Sequence, residues 1–453
     1  MPGAGPLVQT YYEAARRQAP PRPPLAAGGT VEADTCVVGG GLAGLSLALS
    51  LAERGHAPPV LIEAGRVGGG ASGRNGGMAS AGFARDTGSL ESALGTGRAR
   101  ALFRLSVDGL ELLRRRATAA GVPLVPGVVV ASWFDDARGL TAEVARHNAA
   151  FGGRLEFWPR ARLRELYRSP RYHDGFLDPD GFHLDPLRLC DGLAAAAETM
   201  GVRIFEGTPA LSLARRGDGG FEVATPGGGT VRARRVALCQ SAYPPGLLPR
   251  LARATLGVAT YVVVTEPLGA RAADAIRAPH AVYDDRFATG YYRLLGDGRL
   301  LWGGRISLRE EPPAVLVPRM RRDLALVYPQ LADVGIDHAW SGRMGFARHR
   351  MPLVRELEPG LWAAGLLGGH GLNTATMAGE LVARAIAEGD PAWRLFEPFG
   401  PAWTGGPLGR LAAGALFHGH AARDSLRAAW HRRRAKKEAP VGFPPTGAED
   451  QGG

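Results

Sequence analysis

Residues 33–65 read ADTCVVGGGLAGLSLALSLAERGHAPPVLIEAG, and this stretch decides the fold. An apolar run ending at Val38 is followed by three glycines, a helical pattern and a second apolar run, VLI. The helical pattern has apolar side chains three or four residues apart, at Leu42, Leu45, Leu49 and Ala52. Gly55 stands where a helix commonly ends. A strand, a glycine turn, a helix and a second strand within about thirty residues predict a βαβ unit.

The turn of this unit carries a GxGxxG motif made by Gly39, Gly41 and Gly44. The first glycine permits a tight turn, the second lets a pyrophosphate approach the backbone, and the third lets helix and strand pack closely. The N–H groups at the helix start favour bound phosphate. Glu63 ends the next strand, where a carboxylate accepts hydrogen bonds from ribose hydroxyls. The unit predicts dinucleotide binding, with NAD and FAD both open at this point.

Two further glycine-rich segments favour FAD. GGGASGRNGG, residues 68–77, directly follows the second strand and returns over the same phosphates, with Ser72 and Asn75 able to bond oxygen atoms. LLGGHG, residues 366–371, lies between an apolar strand and a helical run from Leu372 to Ile386. The N-terminal end of that helix would stabilise negative charge on a flavin ring.

Size and charge limit the class of protein. The 453 residues exceed one ordinary core and suit two or three packed domains. The formal net charge is +11, but lysine occurs only at Lys436 and Lys437, and the many arginines are spread along the chain. That distribution indicates a composition bias rather than a clustered nucleic-acid surface, so no nucleic-acid partner is expected.

Cysteine usage and hydropathy predict the compartment. Cys36, Cys190 and Cys239 are an odd number at wide separations without a CxxC motif, so neither a disulfide framework nor a zinc site is expected. The N-terminus has no apolar signal-peptide core, and no window offers about eighteen continuous apolar residues. We therefore expect a cytoplasmic protein without a membrane span.

The glycine-rich segments, taken together with other motifs, resemble FAD-dependent amine and amino-acid oxidoreductases of the D-amino-acid oxidase (DAO) superfamily, especially the gamma-glutamylputrescine oxidoreductases. The resemblance covers most of the chain. It is carried by YYEAA at 11–15, the stretch 33–65, RVGGGASGRNGG at 66–77, GFHLDPLRLCDGLAAAA at 181–197, YYRLLGDGRLLWGGR at 291–305, GHGLNTATMAGELVA at 369–383 and RDSLRAAW at 423–430.

The resemblance implies an α/β (α+β) fold. It has a Rossmann-like FAD-binding domain built from discontinuous segments, and a substrate domain with an antiparallel β-sheet and helices. The sequence itself supports β structure at ATYVVVTEP, residues 259–267, and a hairpin around Asp297 and Gly298. Residues 89–120 are predicted to be helical. The expected division is an N-terminal arm 1–32, an FAD-binding domain 33–85, 181–256 and 343–392, a substrate domain 86–180 and 257–342, a C-terminal helical extension 393–431 and a disordered tail 432–453.

The same resemblance implies the residues that hold FAD. Relatives that attach FAD covalently use Cys or His, but ASGRNGGM lacks His and RMGFARHRMP lacks Cys, so noncovalent FAD is expected, although His349 lies close by. The cofactor-binding residues expected from the motifs and the resemblance are Gly39, Gly41, Gly44, Glu63, Ala64, Gly70, Ala71, Ser72, Asn75, Gly76, Gly77, Met78, Ala210, Gly369, Gly371, Leu372 and Asn373.

The catalytic candidates are Arg74, His370, Tyr292 and Arg293. His370 suits a contact with the flavin and a bond to the loop backbone equally well. Tyr291 and Tyr292 are neighbours on a strand and face opposite sides, so one of them is expected in the core. His183 in GFHLDP is expected to be structural.

The implied chemistry is oxidation of an amine to an imine by hydride transfer to flavin, followed by hydrolysis. The expected partners are a small-molecule amine and O2 or another electron acceptor. Asn373 stands where some relatives bind a substrate carboxylate with a basic residue, which argues against a simple amino acid. Amine oxidases of this type often use a lysine beside the flavin, and both lysines here lie in the tail. Oxidase and dehydrogenase therefore stay open, as do an amino-acid dehydrogenase and an RNA-associated or structural flavoprotein.

Overall fold

The computed structural model describes residues 9–15, 20–243, 246–287 and 290–438, with side chains described up to residue 427. Its α-helices are α1 (Tyr11–Ala15), α2 (Leu42–Glu53), α3 (Thr87–Leu94), α4 (Thr96–Ala119), α5 (Ala137–Phe151), α6 (Arg160–Leu166), α7 (Pro186–Thr199), α8 (Pro249–Ala254), α9 (Arg271–Ala275), α10 (Pro313–Val327), α11 (Gly371–Glu388) and α12 (Gly406–Glu438). Its β-strands are β1 (Thr30–Val38), β2 (Val60–Ile62), β3 (Met78–Ala79), β4 (Val125–Ala131), β5 (Glu156–Trp158), β6 (Gly175–His183), β7 (Arg203–Phe205), β8 (Ser212–Arg215), β9 (Phe221–Ala224), β10 (Thr230–Leu238), β11 (Leu256–Thr265), β12 (Ala281–Asp284), β13 (Tyr291–Leu294), β14 (Leu300–Ser307), β15 (Ile336–Phe346), β16 (Leu353–Glu358) and β17 (Leu361–Gly365).

The first sheet is parallel at its centre. Its strands follow the order β16-β17-β10-β1-β2-β7, and the hairpin β8-β9 adds to the side of β10. Strand β1 pairs in parallel with both β10 and β2, while β16 runs antiparallel to β17. The carboxyl ends of β1, β2, β10 and β17 therefore share one edge, where ligands bind in open α/β sheets. The predicted Rossmann-like βαβ unit is confirmed.

The second sheet is mainly antiparallel. Its order is β15-β11-β14-β13-β12-β4-β6-β3, with β5 on β6 and one parallel pair, β4 with β12. Strand β11 contains most of the predicted strand ATYVVVTEP, and β13 pairs with β14 through Leu294 and Leu300 as the predicted hairpin requires. Gly298 in its turn has φ +77°. The mixed α/β fold with two sheets is confirmed.

Close contact between helices α2 and α11 fixes the main helical layer. A Cβ on Gly379 would lie 2.4 Å from the carbonyl oxygen of Ala43 and 2.7 Å from the backbone nitrogen of Leu47. Only glycine allows this separation of the two helices. Because α2 and α11 each begin at a glycine turn, their packing brings both helix starts to the same side of the first sheet.

Some boundaries differ from the sequence prediction. The helix predicted over 89–120 is broken at Gly95, whose φ of +78° separates α3 from α4. Strand β15 continues to Phe346 across the predicted boundary at 342/343, and β3 joins the second sheet although it follows the first βαβ unit. Helix α12 continues to Glu438, past the predicted start of the disordered tail, and residues 439–453 lie outside the described residues. The division into domains stays a prediction.

None of the helices in the described part of the chain combines the length and apolar character needed to cross a membrane.

Candidate active site

The GxGxxG turn sits at the N-terminal end of α2. Gly39 has φ +112°, a conformation that favours glycine, and its backbone N–H donates to the carbonyl of Ile62 at 2.9 Å. A Cβ on Gly44 would lie 2.0 Å from the carbonyl oxygen of Gly39. Gly44 therefore packs the helix against its turn, whereas Gly39 and Gly41 line a large cavity that Gly44 does not reach.

The Glu63 carboxylate lies beside this turn at the end of β2. Its Oε2 accepts a hydrogen bond from the backbone N–H of Gly40 at 2.7 Å, and its Oε1 accepts one from Gly65 at 2.8 Å. Burial raises the pKa of this carboxyl. Because each carboxylate oxygen accepts more than one hydrogen bond, Glu63 can still receive hydroxyl donors from a ligand.

Residues 71–77, which we call the flavin loop, connect to α2 through Ser72. The Ser72 Oγ accepts a hydrogen bond from the backbone N–H of Leu42 at 2.9 Å. The Asn75 amide bonds within the loop: its Nδ2 donates to the carbonyls of Ala71 and Ser72 at 3.0 and 2.8 Å, and its Oδ1 accepts from Gly77 at 2.8 Å. The side chain thus folds the loop on itself, and its contact with ligand oxygens stays a prediction.

His370 precedes α11 in the third glycine turn. Its Nε2 donates to the carbonyl oxygen of Ser80 at 3.0 Å, and burial lowers its pKa, so the ring is neutral at pH 7. Of the two roles expected from sequence, the structure gives the backbone bond. The residue also lines the cavity, so contact with a ligand stays a prediction.

The cavity, of about 2010 Å³, runs along all three glycine-rich segments. This volume exceeds the ~300–1,000 Å³ usual for small-molecule pockets, so a long cofactor and a substrate can share it. Arg74 and His370 line the cavity, as do most of the residues expected to bind the cofactor, namely Gly39, Gly41, Glu63, Ala64, Gly70, Ala71, Ser72, Asn75, Gly76, Met78, Ala210, Gly369, Gly371, Leu372 and Asn373. Gly77 does not, because its Cα packs against the carbonyl of Leu184, 2.0 Å from where a Cβ would be.

Tyr292 and Arg293 do not line this cavity, which corrects their choice as catalytic candidates. Tyr292 is 1% exposed, its ring stacks on Trp302 at 5.1 Å between centroids, and its hydroxyl bonds that of Tyr328 at 2.7 Å. The strand alternation expected from sequence holds, and Tyr291 is the member of the pair that lines the cavity. Sequence could show that the two tyrosines face opposite sides but not which side is the core.

Arg293 is buried inside the protein rather than exposed to a substrate. Its Nε donates to the carbonyl of Gly76 at 2.6 Å and its Nη2 to that of Leu184 at 2.9 Å. His183 lies 3.4 Å from the Arg293 Nη1 and donates from Nε2 to the carbonyl of Pro279 at 2.9 Å. Arg293 thus joins the flavin loop to the residue after β6, and His183 joins the end of β6 to Pro279.

Arg74 is the charged side chain that the flavin loop brings into the cavity wall. Its guanidinium is 2% exposed, its Nε donates to the carbonyl of Ser341 at 3.1 Å, and its Nη1 lies 3.7 Å from Glu13 Oε2. Burial lowers the pKa of Arg74, and the nearby Glu13 carboxylate opposes that shift.

Helix α12 and the residues just before it form a wall of the cavity that the sequence did not predict. The lining positions recur once per helical turn, singly or as adjacent pairs, and so lie on one face: Gly405, Leu408, Gly409, Ala412, Ala413, Leu416, Phe417 and His420. Phe287 holds this face in place, since its backbone N–H donates to Asp424 Oδ2 at 2.8 Å and its ring stacks on His420 at 4.3 Å. The regular spacing of these residues is present in the sequence. Spacing alone does not show what the resulting face of the helix packs against.

The second sheet forms the opposite wall, with Thr260, Tyr291, Arg305 and Arg343. Arg305 has φ +53° and a two-pronged ion pair with Asp323, at 2.5 and 2.9 Å. Such backbone conformations are costly outside glycine and cluster at functional sites. Arg343 lies 3.2 Å from Glu310. These two arginines were not predicted, because nothing in the sequence pattern distinguishes them from the many solvated arginines.

Comparison with known proteins decides the family. Residues 34–385 match the model of the DAO family, described as FAD dependent oxidoreductase. The chain belongs to this family. It is therefore an FAD-dependent oxidoreductase, as the resemblance of its motifs implied.

Individual relatives extend over most of the chain. It is 31% identical to gamma-glutamylputrescine oxidoreductase of Escherichia coli, over 84% of this chain and 89% of that protein. It is also 31% identical to the probable oxidoreductase OrdL of Haemophilus influenzae, over 86% of this chain and 90% of that protein. Among solved structures, glycine oxidase from Geobacillus kaustophilus superposes with a TM-score of 0.67 at 22% identity, covering 82% of this chain and 99% of that one. This last likeness supports the fold.

The residues of the site fit FAD. The N-terminal end of α2 suits a diphosphate, and Glu63 suits ribose hydroxyls. Asn373 is 1% exposed and lines the cavity, and its Oδ1 has no hydrogen-bond partner among the described residues. A buried acceptor without a partner is costly, so this atom suits an N–H donor from a bound ligand such as a flavin ring. Among the described residues no group of His, Cys, Asp and Glu side chains could hold a metal ion.

Proposed function

We propose that the protein oxidises the C–N bond of an amine to an imine, which water then hydrolyses to an aldehyde or ketone with release of ammonia or a smaller amine. The observation that carries the proposal is the cavity, which continues from the fingerprint at Gly39 to the face of α12 and leaves room for an organic substrate beyond the cofactor. The 31% identity to gamma-glutamylputrescine oxidoreductase supports an amine as substrate. When bound, FAD supplies the acceptor for the hydride that leaves the carbon next to nitrogen.

In this proposal the protein's own residues bind the amine and keep it neutral. The substrate lies between the second sheet, near Tyr291, and the apolar face of α12, near Phe417. Apolar surroundings disfavour an ammonium group, so they lower the pKa of a bound amine. A neutral amine has the nitrogen lone pair that assists hydride loss from the neighbouring carbon. His370, neutral and bonded to Ser80, positions the start of α11 rather than exchanging protons.

Noncovalent FAD is part of the proposal. His349, which lies within RMGFARHRMP, donates from Nε2 to the carbonyl of Gly400 at 3.1 Å and does not line the cavity. Cys239 does line it, but burial raises the pKa of its thiol to about 12. A thiol that keeps its proton is a poor nucleophile. We therefore expect acid precipitation to release all of the yellow colour into the supernatant.

The cellular location is also proposed to be the cytoplasm. Cys36, Cys190 and Cys239 are all buried and free, as suits a chain kept in a reducing compartment.

An amino acid is the second candidate substrate. Arg343 lines the cavity with its guanidinium about half exposed, and its ion pair with Glu310 at 3.2 Å could be exchanged for a substrate carboxylate. Asn373 does not add a donor for such a carboxylate, because its amide nitrogen already donates to the carbonyls of Gly82 and Ser106.

Anaerobic mixing of the yellow protein with a substrate panel tests these alternatives. The panel contains putrescine, gamma-glutamylputrescine, spermidine, glycine and L-proline, and flavin bleaching at about 450 nm is recorded. Bleaching by the amines but not by the two amino acids supports the proposal, whereas the reverse pattern supports the second candidate. Bleaching by none of them contradicts both. Re-oxidation by air, compared with an artificial acceptor, then distinguishes an oxidase from a dehydrogenase.

A further inference from the structure

The N-terminal segment YYEAA lies before the residues that match the DAO family, 34–385, and is separate from the glycine-rich segments that line the cavity. In the structure it forms α1, a short helix with a reciprocal cap. The backbone N–H of Thr10 donates to Glu13 Oε2 at 2.7 Å, and the N–H of Glu13 donates to Thr10 Oγ1 at 3.1 Å. This capping box holds the Glu13 carboxylate in a fixed position.

The Tyr12 hydroxyl joins α1 to the flavin loop. Tyr12 is 2% exposed, and its hydroxyl donates to the carbonyl of Asn75 at 3.0 Å while it accepts from Arg293 Nη2 at 3.1 Å. The same Arg293 donates to the carbonyl of Gly76. Two consecutive carbonyls of the flavin loop are thus fixed by one tyrosine and by the arginine that it contacts.

Arg74 is held by Trp340, which packs against Tyr12, and by Glu13 of α1. The Trp340 Nε1 donates to the Arg74 carbonyl at 2.8 Å, and the Trp340 ring packs edge-on against Tyr12 at 5.8 Å. The Glu13 carboxylate lies 3.7 Å from the buried Arg74 guanidinium. Helix α1 therefore provides both a backbone contact and an opposite charge to the part of the loop that forms the cavity wall.

We propose that Tyr12 and Glu13 are positioning residues for the cofactor: Tyr12 holds the flavin loop in its FAD-binding shape, and Glu13 balances the charge of Arg74 beside the bound flavin. The proposal rests on FAD binding and not on the identity of the substrate. Residues 68–77, which include the whole loop, contain six glycines and would lose much conformational freedom on binding FAD if they were free. Preordering this segment before FAD arrives reduces that entropic penalty and increases affinity.

Paired variants test the role of Tyr12. Tyr12→Phe keeps the buried ring against Trp340 and removes only the hydroxyl. Tyr11→Phe removes a hydroxyl whose partner is Asp297, away from the flavin loop, and serves as the matched control. FAD affinity is measured by titrating flavin-free protein and following the quenching of flavin fluorescence. We expect Tyr12→Phe to raise the Kd for FAD about tenfold and Tyr11→Phe to leave it within about twofold. Equal Kd values for Tyr12→Phe and the unaltered protein would overturn the role of Tyr12.

The charge role of Glu13 has its own test. Glu13→Gln retains a side chain that can complete the capping box but removes the negative charge. Loss of the Glu13 charge makes the surroundings of Arg74 more positive, which favours added electrons on a nearby flavin, so the flavin midpoint potential should become more positive. Glu311→Gln, which removes an exposed ion pair with Arg319, is the control. A merely structural role would not change the potential, and a potential identical in Glu13→Gln and the unaltered protein would overturn the charge role. Neither readout needs an amine, so either result is independent of the proposed reaction.

Discussion

Ser72 Oγ lies 2.9 Å from the backbone nitrogen of Leu42 and accepts its hydrogen bond. The two residues belong to different glycine-rich segments, the flavin loop and the fingerprint turn. The first N–H groups of a helix have no partner within it, so a side chain that accepts from one of them stabilises the helix start. Here that side chain comes from a loop 30 positions away in the sequence, and the bond holds the flavin loop against the fingerprint turn.

Removing this bond should weaken FAD binding more than folding. Ser72→Ala loses about 1 kcal/mol of interaction between the loop and α2, which corresponds to roughly a fivefold rise in the Kd for FAD. Ser92→Ala is the control, because its exposed hydroxyl only bonds the carbonyl of Gly88 within α3. Fluorescence titration of flavin-free protein gives both constants. An unchanged Kd in Ser72→Ala would show that the loop keeps its position without this bond.

Gly44 should tolerate no side chain. A methyl group would lie 2.0 Å from the carbonyl oxygen of Gly39 and 3.1 Å from Val37 Cγ1, so the helix start must move away from the turn. We expect Gly44→Ala to be purified without yellow colour and with a lower melting temperature. Gly97→Ala, near the start of α4 with nothing within 4 Å of the added carbon, should retain FAD and melt at or slightly above the normal temperature. Flavin content and thermal unfolding distinguish the two, and a yellow Gly44→Ala protein would refute the packing argument.

The α12 wall should affect substrate binding rather than flavin reduction. Phe417 lines the cavity and packs against Phe287 at 5.8 Å between ring centroids. Phe417→Ala removes an apolar contact worth about 1–3 kcal/mol, so KM should rise about tenfold or more while FAD content stays the same. Leu411→Ala is matched to it on the same helix, since Leu411 is 71% exposed and does not line the cavity. Steady-state kinetics with the best amine of the panel measures both, and equal KM values would remove α12 from the substrate site.

His183 should make stability depend on pH. Burial, with a smaller effect of Arg293, lowers its pKa to about 4, against 6.5 for an ordinary histidine. The folded state therefore binds this proton more weakly than the unfolded state, so the stabilising contribution is complete above about pH 6.5 and is lost as the pH falls towards 4. Between about pH 7 and pH 5 the loss is about 2 kcal/mol.

Urea unfolding at about pH 7 and pH 5 measures this contribution. His183→Gln can still donate to Pro279 but does not titrate, so its free energy of unfolding should fall by about 2 kcal/mol less over this interval than that of the unaltered protein. His418→Gln, which changes an exposed histidine of α12, is the matched control. Parallel curves for His183→Gln and the unaltered protein would contradict the assignment.

Local features of the site could be predicted from the sequence. The βαβ unit, the tight turn at Gly39, the position of Glu63 at a strand end and the hairpin at Gly298 each follow from a few neighbouring residues. The hydrophobic period, the spacing of the motif residues and the turn residues that predict these features all lie within one or two elements. The cavity is lined by most of the residues expected to bind the cofactor, and one of them, Ala210, was expected only from the family resemblance.

Tertiary structure alone decided which of several equivalent side chains face the cavity. Alternation along β13 placed Tyr291 and Tyr292 on opposite sides, but the stacking of Tyr292 on Trp302 determined which one is buried. Arg293, Arg74 and Arg305 look alike in the sequence, yet the first is enclosed by backbone carbonyls while the other two line the cavity. The roles of α1 and α12 likewise depend on contacts with residues far away in the sequence. Sequence period specifies the faces of an element, whereas the partner of each face is set by the packing of the whole chain.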